Sequence, residues 1–107
     1  MTRAALTAWL ERREPPPPAA LASRLARAVR ETPEAWLAAH PGAADALSAI
    51  GLALLAEVAA RGPQAPDLAL DLLAADAFVT YAIEAAAEDG LSAGRFAARI
   101  LSTATAE

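Results

Sequence analysis

Four polar side chains recur at every fourth position in one stretch of the chain: Asp76, Thr80, Glu84 and Glu88. At about 100° per residue this spacing lines them along one side of a helix, with Tyr81 beside them. Side chains so placed could orient the polar end of an apolar ligand. If a second acid converged from another helix, a pair such as Asp76 and Glu84 could instead exchange protons as general acid and base. Asp76 stands out because its helical neighbours Leu72, Leu73, Val79 and Thr80 are largely apolar. Burial there would demand a partner, and Arg24, Arg27, Arg61, Arg95 and Arg99 all lie on other elements. Without a partner, the four form a solvated acidic stripe, the simplest reading of the pattern. Asp76, Thr80, Tyr81 and Glu84 are thus the candidate ligand-binding residues.

The rest of the catalytic inventory is thin. One histidine and no cysteine leave little scope for a nucleophilic relay, and Ser23, Ser48, Ser92 and Ser102 fall in helices or at a cap, outside any nucleophile-elbow pattern. Gly42, Gly51, Gly62, Gly90 and Gly94 are too scattered for a phosphate-cradling loop. His40, in Ala-Ala-His-Pro-Gly, reads as a histidine closing the C-terminal end of a short helix, where a positive charge would be favoured. With Glu34 six positions before it and no second histidine, it does not make the Glu-x-x-His pairs of a bundle di-metal site. No catalytic residue, metal or cofactor is expected, and no enzymatic activity.

The elements that position these residues are helices. The chain has 107 residues, enough for one core. Hydrophobic residues make up 56% but aromatics only 5%, and alanine, about a third of the chain, fills the difference. Alanine is the best helix former and lets helices approach closely, so an all-α fold follows. The net charge of −4 is unevenly spread, with six arginines against four acids in residues 1–34, one against eight in 35–94, and two against one from 95 on. Such sections can attract each other, and the acidic total argues against nucleic-acid binding. Mean hydropathy is positive. The longest uncharged apolar run nevertheless lies between Asp45 and Glu57, short of the roughly 20 residues that span a bilayer, so no membrane partner is expected. Ala4 to Leu10 is too short for a secretory core, and a cytoplasmic, bacterial protein is expected.

Punctuation in the sequence predicts a compact bundle of about five helices. Thr2 can cap a first helix over residues 1–14, held as a semi-detached arm by the spacer Pro15 to Pro18. Leu21, Leu25, Ala28 and Val29 mark an amphipathic second helix, with Arg24, Arg27 and Arg30 turned outward. Thr32-Pro33-Glu34 restarts the chain into a short helix carrying Trp36 and Leu37. A long helix over about 43–61, with Leu47, Ile50, Leu54, Leu55 and Val58 in register, ends at Gly62-Pro63 and pairs antiparallel with a helix over about 66–88. Asp89-Gly90 closes that helix, and Ser92 caps a last one whose Phe96, Ile100 and Leu101 face inward.

The first half of the 66–88 helix carries leucines on two sides, which describes a central helix or a subunit interface. Trp9 and Trp36 lie on short peripheral helices, where interface anchors occur. With Leu70, Leu73 and Phe78 they are the candidate interface residues. The string LLAADAFVTYAIEAAAE, residues 72–88, resembles one helix of polyprenyl synthases, but the aspartate-rich metal motifs of that family are absent and no function follows from it. The expected function is a small non-enzymatic helical interaction or structural module that self-associates as a dimer or binds another protein. The alternative is a bundle that binds an apolar small ligand beside Asp76.

Overall fold

Proline and glycine divide the chain into six helices. The computed structural model describes residues 1–64 and 66–105. They form α1 (Arg3–Glu11), α2 (Ala19–Glu31), α3 (Glu34–Ala38), α4 (Ala43–Arg61), α5 (Leu68–Glu88) and α6 (Ala93–Thr105), an all-α bundle. Thr2 caps α1 by accepting a hydrogen bond from the Ala5 amide at 3.1 Å. Thr32 does not cap α3. Its hydroxyl donates to the Ala28 carbonyl at 2.8 Å and seals the end of α2, while α3 begins behind Pro33. After α5, Gly90 takes φ +81°, and the Leu91 and Gly90 amides donate back to Ala86 and Ala87. That paired return needs a left-handed residue, which glycine supplies without a Cβ clash.

α4 and α5 form the centre, running antiparallel through the connection 62–67. Arg61 at the end of α4 reaches Asp71 near the start of α5, and Gly51 at mid-helix faces the middle of α5. A Cβ added at Gly51 would lie 3.0 Å from Val79 Cγ2 and 3.2 Å from the Ala75 carbonyl oxygen, so the helices meet where the side chain is missing. The buried stripe of α5 is Asp71, Ala74, Ala75, Phe78, Ala82, Ala85 and Ala86. Its members are mostly alanine, and Leu72 and Leu73 point outward.

The N-terminal helix, expected as a semi-detached arm, is docked. Leu6 and Trp9 are buried in the core. Arg3 donates to the Thr32 and Val29 carbonyls at 2.6 and 3.3 Å, neutralising the negative end of α2. Ion pairs join the oppositely charged sections of the chain: Arg13–Glu88 at 3.1 Å, Arg24–Asp71 at 2.6 Å and Arg99–Asp45 at 3.4 Å. By length and composition α4 could cross a membrane, although Asp45 and Glu57 interrupt its apolar run. Its inward face supplies Leu47, Ile50, Leu54 and Val58 to the core.

Candidate functional site

The acidic stripe is not gathered in one groove. Asp76, Thr80 and Glu84 are exposed, and Asp76 alone of the three lines a groove. Tyr81 is half-buried on another side, edge-on to Trp9 with ring centroids 6.0 Å apart. Burial pushes its hydroxyl pKa up, helped by the Glu84 charge. Glu88 fastens α1: its carboxylate accepts from the Trp9 indole at 3.0 Å and from Arg13 at 3.1 Å, while the Arg13 guanidinium lies 3.5 Å over the Trp9 ring. Arg13, with Trp9 adding, holds Glu88 below the ordinary glutamate range.

The candidate interface residues separate as well. Phe78 and Trp9 are buried within the chain, so they are core residues in this fold. Trp36 is half-buried and rests against the His40 ring at 4.4 Å, and Leu70 is half-buried. Leu73 is exposed.

The groove beside Asp76 has a volume of about 560 Å³ and lies between α4, α5 and α6. α5 contributes Leu72, Ala75, Asp76, Val79 and Ile83 to it, four of them at a spacing of i, i+4, i+7, i+11. That is the repeat of a helix-packing seam, second to the alanine stripe packed on α4. Three of its leucines remain open to solvent: Leu55 on α4 is 41% exposed, Leu72 on α5 42% and Leu101 on α6 65%. Leu55 and Leu101 are thus rim residues and not the inward-facing ones their periodicity suggests. All three stand along the open side of the groove. α6 does not cover the groove but forms one wall of it, through Ala97, Ile100, Leu101 and Ala104. Among the described residues no cation pairs with Asp76.

A second polar centre is one that the leucine pattern hides. Asp71, 3% exposed, accepts from Arg24 Nε at 2.6 Å and from Arg61 Nη2 at 2.5 Å. Burial pushes its carboxyl up, but the two guanidiniums outweigh burial and hold it below the ordinary aspartate range. Arg24 is itself largely buried, and its Nη1 has no hydrogen-bond partner. Both arginines are among those named for Asp76; the acid they meet is five positions earlier. The signal was Ala74 and Ala75 at i+3 and i+4 from Asp71, whose small side chains bring that face against its neighbours.

The fold and groove define an all-α bundle with an open apolar seam. No protein-family model matches the chain, and neither a curated protein nor a solved structure matches it.

Proposed function

We propose that this protein is a small non-enzymatic helical interaction module that seats an amphipathic helix in the groove between α4, α5 and α6. The observation that carries the reading is the unfilled seam Leu72, Asp76, Val79, Ile83, with Leu55 and Leu101 standing exposed on its two rims. A row at that spacing is what a second helix packs against, and leucines left in water favour such packing. An enzyme using Asp76 with Glu84 has less support, because Glu84 does not line the groove.

A small apolar ligand is the second reading. It is favoured by a groove volume within the usual range for ligand sites and by a single carboxylate in its wall. Fluorescence anisotropy with a labelled, leucine-seamed helical peptide tests the main reading. Saturable one-site binding that Leu72→Glu abolishes supports it; no saturable binding overturns it. Sedimentation shows whether the occupant is a second copy, in which case Leu72→Glu dissociates a dimer.

A further inference from the structure

Asp76 gives the groove a requirement beyond apolarity. A helix laid along the seam would place one of its own seam positions opposite this carboxylate, and a polar residue at such a position selects the partner's register and identity. The other residues lining the groove are all apolar. No cation pairs with Asp76 among the described residues, and the surrounding section 35–94 carries one arginine against eight acids. A neutral occupant would cover the carboxylate and leave it unpaired, at a cost in free energy. A second copy applied face to face would bring another Asp76 and no basic residue from its own groove lining. Resting on the groove reading above, we infer that the occupant is a short amphipathic helix of a different protein, with one arginine or lysine among its apolar residues seated opposite Asp76.

The length fits this occupant. The groove runs from Leu72 to Ile83 on α5, about 17 Å at 1.5 Å per residue, and a helix of three to four turns matches it, with the groove receiving its apolar side chains and the carboxylate receiving its cation. Charge then sets specificity and encounter rate, while the leucines supply the contact area.

Three probes test it by fluorescence anisotropy against the full chain: a 14-residue leucine-seamed peptide with one central arginine on its apolar face, the same peptide with glutamine there, and dodecylamine displacing the labelled arginine peptide. The arginine peptide is expected to bind roughly tenfold more tightly than the glutamine peptide. Asp76→Asn, at an exposed position and with its fold checked by circular dichroism, is expected to erase that difference. Leu72→Glu is expected to lose both peptides. Equal binding of the two peptides by the wild-type chain overturns the cation requirement and leaves the groove reading standing. Binding of neither overturns both. Displacement by dodecylamine at concentrations where the glutamine peptide fails, without any effect of Asp76→Asn, overturns the paired-cation geometry, and a dimer dissociated by Leu72→Glu makes the occupant a second copy instead.

Discussion

Arg24 and Asp71, 47 positions apart in the chain, meet at 2.6 Å in the interior and tie α2 to α5. Arg61 closes the other side of the same carboxylate, so three elements converge on one buried acid. Asp71→Asn is expected to leave two guanidiniums facing a neutral amide and to cost about 3 kcal/mol in urea denaturation. A concerted replacement of Asp71 and Arg24 by leucine and methionine is expected to recover most of that loss, because it removes the buried charge of Arg24 while Arg61, whose side chain is 37% exposed, turns its own to water.

The same carboxylate sets an acid limb of stability. Its folded pKa is depressed, so its contribution is fully present above the unfolded value and is lost as pH falls through the folded one. Urea midpoints measured from pH 6 to pH 2 are expected to fall below about pH 4. The fall should be shallower in Asp71→Asn, which has no proton to take up at that site.

Gly51→Ala is expected to destabilise the protein by about 1–2 kcal/mol, seen as a lower thermal midpoint. The gain in helix propensity of up to about 1 kcal/mol works the other way. It is outweighed because the new methyl would meet Val79 at 3.0 Å and the Ala75 carbonyl at 3.2 Å, and a backbone oxygen cannot move alone.

Docking of α1 depends on Trp9. Trp9→Ala is expected to cost about 3 kcal/mol and to raise amide hydrogen exchange across residues 3–11. Glu88→Gln removes the charge that Arg13 pairs with but keeps an acceptor for the indole, and is expected to raise exchange in the same helix by less.

Helix type and punctuation were legible because they depend on local chemistry. Gly62-Pro63, Asp89-Gly90 and the Ser92 cap act within a few residues of themselves, and the Arg95 amide indeed donates to Ser92 Oγ at 3.3 Å. The facing of α5 was less legible. Leucine periodicity takes bulk as the sign of burial, but α4 and α5 approach so closely that Gly51 meets Ala75 at the contact while Leu72 and Leu73 face outward. That inversion buries Asp71 and leaves Asp76 at the edge of a groove. Docking of the first helix was hidden for a similar reason: the proline run marks a break in helix, whereas what holds α1 is the distant Glu88, 79 positions from Trp9.

The groove proposal is tested most directly by methyl chemical-shift mapping during titration with the arginine-bearing helical peptide. Shifts confined to Leu55, Leu72, Val79, Ile83 and Leu101, saturating at one peptide per chain and weakened by Asp76→Asn, are the expected result. Shifts centred instead on Leu10, Leu25 and Val29, or no saturable shifts at all, would contradict it.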